Sequence, residues 1–108
     1  MTAKIKALLP KVKANLILQH DADDELLLGF IAAASDYAES YQKRTYKSKI
    51  PPATEQAIIM LASHFYESRD GSTGGFFGDS AGAAKQAMEA VNRLLSIGKE
   101  WQVWAFLV

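Results

Sequence analysis

The chain has 108 residues, with 12 basic and 12 acidic side chains, 49% hydrophobic residues and no cysteine. This composition is typical of one small globular domain spanning residues 1–108, and the balanced charge argues against a dedicated nucleic-acid or anionic-membrane binder. The absence of cysteine excludes a disulfide framework, a thiolate metal site and a cysteine nucleophile. No apolar run approaches the ~20 residues of a membrane span. The lysine-interrupted start of the sequence does not match a signal peptide.

The first twenty residues predict a short amphipathic helix that begins near Leu9. Apolar residues recur there at helical spacing, and Pro10 fits best in the first turn of a helix, where proline is tolerated. Lysines lie opposite the apolar stripe, at Lys4, Lys6, Lys11 and Lys13. We expect them to form a solvated face rather than a membrane-binding surface.

Residues 22–43 predict a long second helix. Asp21 is a candidate cap, further acids fill the first turn, and Lys43 and Arg44 close the other end, as the helix dipole favours. Its apolar positions follow a 3.6-residue period: Leu27, Phe30, Ile31, Ala34, Tyr37, Ala38 and Tyr41.

Charge is arranged in blocks along the first half of the chain. Lysines precede residue 20, acids lie between Asp21 and Glu39, and bases follow from Lys43 to Lys49. Matching to the helix dipole explains the acids and bases at the helix ends without any partner. The alternative is a charged surface that docks on further copies of the chain.

A break at Pro51 precedes a third helix, which is predicted from Pro52 to about Ser68 and is apolar nearly all round, as a central helix is. The glycine-rich residues 71–80 predict a mobile loop, and a last helix follows from about Ser80 to Ile97. The sequence therefore predicts an all-α fold: a small bundle of about four helices with a flexible loop before the last helix and an apolar tail.

No motif indicates catalysis or a cofactor. His64 and Glu67 share a helix face, but zinc sites need three or four ligands and the HExxH arrangement is missing. We expect His64 and His20 to be buried or capping side chains. The glycine-rich loop lacks the Lys-Ser/Thr of a phosphate-binding loop, and no serine nucleophile motif occurs. The prediction is a protein that is not an enzyme and holds no metal or cofactor.

Large aromatic residues stand where polar residues are more usual. Phe76 and Phe77 lie in the glycine-rich loop, and Trp101, Trp104 and Phe106 lie in the apolar tail. Solvent-facing aromatics of this kind generally indicate a partner surface. For the tail, residues 99–108, two interpretations remain open: it completes the chain's own core, or it is an interaction arm.

Two stretches resemble a known family, the head–tail connector (adaptor) proteins of long-tailed bacteriophages and prophages. The run Asp23-Asp24-Glu25-Leu26-Leu27-Leu28, continuing to Tyr41-Gln42-Lys43-Arg44-Thr45, is similar to the second-helix pattern of that family. The run His64-Phe65-Tyr66-Glu67 with Arg69 is similar to its central helix. The family usually has Thr-Gly-Arg where this chain has Gln42-Lys43-Arg44.

The resemblance implies a non-enzymatic virion protein located at the head–tail interface, and in the host cytoplasm during assembly. It implies a ring of about 12–13 copies on the portal protein, which extends the DNA channel and docks the next connector or tail-completion protein. DNA would pass without specific binding, and no membrane would be involved. The candidate contact residues with neighbouring copies and partners are Lys43, Arg44, Lys47, Asp23, Asp24, Phe76, Phe77, Trp101, Trp104 and Phe106.

A different function remains open on the residues alone. Lys43, Arg44 and Lys47 form a basic cluster with an interleaved tyrosine, Tyr46. Such a cluster is a weak indication of nucleic-acid binding. The alternative is therefore a small helical DNA-packaging accessory or regulatory protein that binds DNA through residues 43–49.

Overall fold

The structure is a computed structural model that describes residues 3–43, 50–68 and 85–97. Within these ranges the regular elements are four helices: α1 (Ala3–Leu16), α2 (Asp24–Gln42), α3 (Pro52–Ser68) and α4, the helical residues 85–97. The predicted small all-α bundle is confirmed. The glycine-rich loop, the predicted first turn of the last helix and the apolar tail lie outside the described residues.

α1 is longer than the sequence predicted. It begins at Ala3 rather than near Leu9, so Pro10 lies inside the helix. An interior proline removes one backbone hydrogen bond and crowds the preceding turn. The helix continues because Leu8 and Val12, one turn apart on the two sides of Pro10, are 3% and 0% exposed. Burial of this apolar face outweighs the local cost of the proline.

The end of α1 is closed by a backbone turn. The Leu18 N–H donates to the Lys13 carbonyl at 2.9 Å, and Ile17 takes a left-handed conformation with φ 58°. Glycine is the usual residue at this position of a helix end. A β-branched side chain at positive φ is strained.

α2 begins two residues later than predicted, and Asp21 is not its cap. Asp23 precedes the first helical residue, and its side chain makes no capping hydrogen bond. Asp21 instead accepts from Lys13 Nζ at 2.5 Å, so an ion pair with α1 takes the place of the cap. At the other end Lys43 adopts φ 57°, and its N–H donates to the Glu39 carbonyl.

α3 is the central helix, as its sequence predicted, and Pro52 is its first residue. Its fully buried side chains include Ile58 and Leu61, and they pack against apolar residues of the other three helices. The core contains, besides these two, Leu8, Val12, Leu27, Ile31, Ala34, Ala38, Ala57, Ile59, Ala62, Tyr66, Val91 and Leu95.

Side-chain hydrogen bonds fix the direction of the helices. The Tyr37 hydroxyl donates to Asn92 Oδ1 at 2.7 Å, and the Tyr41 hydroxyl lies 2.9 Å from Ser96 Oγ. Both helices advance four residues between these bonds, so α2 and α4 run parallel. α2 and α3 are antiparallel, since Asp23 bonds Tyr66 and Gln42 bonds Thr54.

The bundle therefore has two distinct ends. At the Asp23 end, α1 and α3 finish and α2 begins. At the Gln42 end, α2 and α4 finish and α1 and α3 begin. α1 runs in the same direction as α3, because Lys11 bonds Glu55 and Asn15 bonds Ser63.

Candidate subunit interface

An ion-pair cluster joins α1 to the start of α2. Lys13 Nζ lies 2.5 Å from Asp21 Oδ1 and 3.0 Å from Asp24 Oδ1. The Lys13 side chain is only 16% exposed, whereas that of Asp21 is 87% exposed. Lys13 was predicted to belong to a solvated face, which is wrong for this lysine. Its ammonium is held between two carboxylates that precede and open the next helix.

The ion pair shifts the pKa of both partners. Hydrogen bonds to Asp21 and then Asp24 raise the pKa of Lys13 above its ordinary 10.5. The hydrogen bond from Lys13 lowers the pKa of Asp21 below its ordinary 3.8. Each shift favours the charged form of its group, so the Lys13–Asp21 pair stays ionic throughout the neutral range.

Asp23 is bonded to the central helix. One of its carboxylate oxygens accepts the Tyr66 hydroxyl of α3. Asp23 and Asp24 were both predicted to contact neighbouring copies. The structure places the two side by side at the start of α2, half-buried and already bonded within the chain. They are therefore fixed carboxylates rather than freely rotating ones.

The outward side of α2 presents few large side chains. We call it the outer face of α2, and its exposed residues are Glu25, Leu26, Gly29, Ala33, Asp36 and Ser40. A Cβ added at Gly29 would meet no atom of the described residues within 4 Å, so no close approach among them requires glycine there. The outer face has an acidic residue near each end of a shallow, small-residue middle.

The basic candidate residues begin at the opposite end of α2. Lys43 is exposed and lies at the Gln42 end, about 28 Å from the start of α2 at 1.5 Å per residue. The structure thus separates the acidic candidates, Asp23 and Asp24, from Lys43. The other predicted contact residues lie outside the described ranges: Arg44, Lys47, Phe76, Phe77, Trp101, Trp104 and Phe106.

The histidines show no metal-site arrangement in the part of the chain that the structure describes. His20 Nδ1 accepts the Ala22 N–H at 3.3 Å within the α1–α2 loop, two residues before the start of α2. His64 is half-buried in α3, and its carbonyl accepts the Ser68 hydroxyl. Across residues 3–43, 50–68 and 85–97, His, Asp and Glu form no group able to hold a metal ion.

Sequence reasoning missed two polar residues that organise the ends of the bundle, Gln42 and Tyr66. Gln42 lies one turn after Ala38 on the apolar stripe of α2, and Tyr66 lies one turn after Ala62 in α3. That spacing is the signal that could have identified them, since a polar residue on a buried stripe needs a partner. Among the described residues, no helix is long and apolar enough to cross a membrane.

Comparison with protein families gives a match that covers most of the chain. Residues 6–95 match the family described as Phage gp6-like head-tail connector protein. Comparisons with curated proteins and with solved structures found no match. The matched stretch contains most of α1, all of α2 and α3, and all but the last two residues of α4. The chain therefore belongs to the phage gp6-like head-tail connector family, whose members are structural proteins of the virion that act with other head and tail proteins.

Proposed function

We propose that this chain assembles as a closed ring of about 12–13 copies on the portal protein. The ring extends the DNA channel and docks the next connector or tail-completion protein. The observation that carries this proposal is the family match over residues 6–95, which spans nearly the whole described bundle. In this role the chain acts through its contact surfaces for other copies and partner proteins, and the ring needs no enzyme site.

The outer face of α2 is the surface that suits contact between neighbouring copies. Glu25 and Asp36 are exposed on it, and Gly29 and Ala33 leave room for close approach of another helix or loop. A closed ring requires a heterologous interface, in which one patch meets a different patch of the next copy. The exposed Lys43 and the basic residues after it, Arg44 and Lys47, provide that second patch.

The fixed carboxylates of Asp23 and Asp24 extend the acidic patch. Bonds to Tyr66 and Lys13 hold them in place before any partner arrives. A carboxylate has about four acceptor sites, so each retains acceptor capacity for a donor from a neighbour, although Asp24 Oδ1 itself is buried. Because the side chains are already ordered, association costs less conformational entropy at these positions.

The aromatic pair Phe76 and Phe77 is assigned to the contact with the portal or the next connector. Aromatic side chains are enriched among the residues that dominate binding energy. This assignment rests on their place in a glycine-rich stretch of the sequence.

Mass in solution tests the ring. Light scattering after gel filtration, with and without the cognate portal, should show a particle of roughly 140–155 kDa for the chain's own ring, given 11.8 kDa per copy. Negative-stain images should show closed rings. If the chain stays monomeric both alone and with the portal, the ring proposal is wrong.

A charge reversal tests the interface. Asp36→Lys should abolish or strongly weaken ring formation, because it places a lysine opposite the basic patch of the next copy. Lys6→Glu, a charge reversal at an exposed position of α1, is the matched control and should leave the ring intact. Equal assembly by both variants would remove the outer face of α2 from the interface.

DNA binding through residues 43–49 is the competing outcome. Phosphate contacts by several basic residues make affinity fall steeply with salt. Tight binding of duplex DNA at low salt with a steep salt slope, together with a monomeric mass, would favour the DNA-packaging accessory function. The ring proposal instead predicts weak DNA binding that is unaffected by Lys43→Ala.

A further inference from the structure

A groove lies between the beginnings of α1 and α3, at the Gln42 end. Its volume is about 380 Å³, and it is lined by Lys4, Ala7, Leu8, Lys11, Ile50, Pro52 and Glu55. The floor is apolar, whereas lysines stand on the α1 side. Lys11 Nζ bonds Glu55 Oε1 at 2.5 Å, which ties the two walls together. The groove is therefore an apolar recess whose rim carries two lysines and one glutamate.

α4 ends beside the first turn of α3, the helix that forms one wall of this groove. The Gln42 side-chain amide donates to both the Leu95 carbonyl and Thr54 Oγ1, each at 2.8 Å. The last turn of α4 is thus beside the first turn of α3. Thr54 stands between Pro52 and Glu55, two of the residues that line the groove.

The distance to be crossed is short. A chain leaving α4 must pass the N-terminal end of α3, and a helix is about 10 Å across with its side chains. Trp101 is the fourth residue after Ile97, and four residue steps can extend over about 13–14 Å. The residues from Trp101 onward can therefore reach the groove of their own chain.

The chemistry of residues 101–108 suits the groove. Seven of these eight residues are apolar and none is charged. A tryptophan ring seated on an apolar floor would bury a large area, and lysine ammonium groups on a rim can lie over its face. Lys4 and Lys11 are the lysines that stand there.

We propose that residues 101–108 dock in the α1–α3 groove of their own chain, with a tryptophan side chain seated between Ala7 and Pro52. A second copy is the competing source of the same segment. The own-chain segment is favoured because a short linker gives an effective concentration of about millimolar, far above a dilute solution of other copies. This contact is independent of the ring proposal, since it forms within one copy.

Tryptophan fluorescence tests this contact directly, because Trp101 and Trp104 are the only tryptophans of the chain. The intact monomer should show blue-shifted emission and protection from acrylamide quenching. Ala7→Glu should shift the emission to the red and remove the protection, because it places a carboxylate on the groove wall. Ala14→Glu is the matched control, at another exposed position of α1, and should behave as the parent chain.

Helix content by circular dichroism confirms that the variants remain folded. If Ala7→Glu unfolds the chain, Pro52→Glu places the charge on the opposite wall, at a helix start where a carboxylate is favourable. Solvent-exposed tryptophans in the parent chain, or equal protection in the groove variant and its control, would overturn the proposal. Protection that rises with protein concentration in step with mass would also overturn it, because the occupant would then be a second copy.

Discussion

Gln42 and Thr54 are joined by a buried hydrogen bond of 2.8 Å that links the end of α2 to the start of α3. The same side-chain amide donates to the Leu95 carbonyl of α4, so one residue connects three helices at the Gln42 end. Gln42 is 4% exposed and Thr54 is 0% exposed. A buried polar group that keeps its hydrogen-bond partners costs little folding stability, whereas one left without a partner costs about 1–3 kcal/mol.

Gln42→Leu should therefore destabilise the protein although it adds apolar volume to the core. It leaves the Leu95 carbonyl and Thr54 Oγ1 without their donor, and we expect the free energy of unfolding to fall by about 1–3 kcal/mol. Urea unfolding followed by circular dichroism measures this. Tyr41→Phe is the control, because it removes an exposed hydrogen bond to Ser96 at the same helix end and should cost less than about 0.5 kcal/mol. Equal effects would contradict the buried network.

The sequence predicted the helices well where apolar periodicity was strong. α3 follows the predicted bounds, and the buried apolar positions of α2 (Leu27, Ile31, Ala34 and Ala38) all belong to the predicted stripe. Periodicity reports which side of a helix is buried. It does not report which polar residue on that side will find a partner, and so Gln42 was missed.

Local rules failed where tertiary contacts compete with them. Pro10 alone predicts a helix start, but the burial of Leu8 and Val12 carries α1 through the proline. Asp21 alone predicts a cap, but its carboxylate forms an ion pair with Lys13 instead. The contact residues for other proteins stay predictions for a different reason: their partners are not encoded in this sequence.

The Lys13–Asp21 pair should contribute to the fall in the protein's stability at low pH. Because the pKa of folded Asp21 lies below its ordinary 3.8, its stabilising contribution is complete above about that pH and is lost as pH falls through the lowered pKa. Asp21→Asn should therefore remove part of the stability loss between about pH 4 and the lowered pKa. Urea midpoints measured across this range, compared with Asp36→Asn on the outer face of α2, provide the check.

At high pH the stability of the protein should depend on Lys13 in the opposite sense. The pKa of folded Lys13 lies above 10.5, so its contribution is complete below that pH and is lost as pH rises through the raised pKa. Lys13→Met should lower the stability at neutral pH and flatten the loss above pH 10.5. An unchanged alkaline profile in this variant would show that Lys13 does not carry the effect.

Ile17 offers a stabilising substitution. It is 82% exposed, so it contributes little burial, yet its β-branched side chain sits at φ 58°. The left-handed conformation costs an L-residue about 1–2 kcal/mol, and glycine avoids this cost. Ile17→Gly should raise the free energy of unfolding by about 1 kcal/mol, measured by urea unfolding. Ile17→Ala keeps a Cβ and should gain much less, and if both gain equally, the strain is not at the backbone.

Gly29 separates the stability of the single chain from its assembly. A Cβ there meets no atom in the part of the chain that the structure describes, and glycine inside a helix costs about 1 kcal/mol relative to alanine. Gly29→Ala should therefore stabilise the monomer by about that amount. Gly29→Leu should also stabilise it, since leucine favours helix. If the outer face of α2 packs against the next copy, however, the leucine side chain fills the space of that neighbour and ring assembly is lost.

Measuring unfolding and mass on the same variants separates the effect of Gly29 on the stability of the single chain from its effect on ring assembly. Ala14→Leu makes a similar change at an exposed position of α1 and should alter neither property by much. A more stable monomer that no longer forms rings would show that glycine is kept at this position for contact between copies, at the expense of helix stability. A Gly29→Leu chain that assembles as readily as the parent would place the interface elsewhere on the bundle.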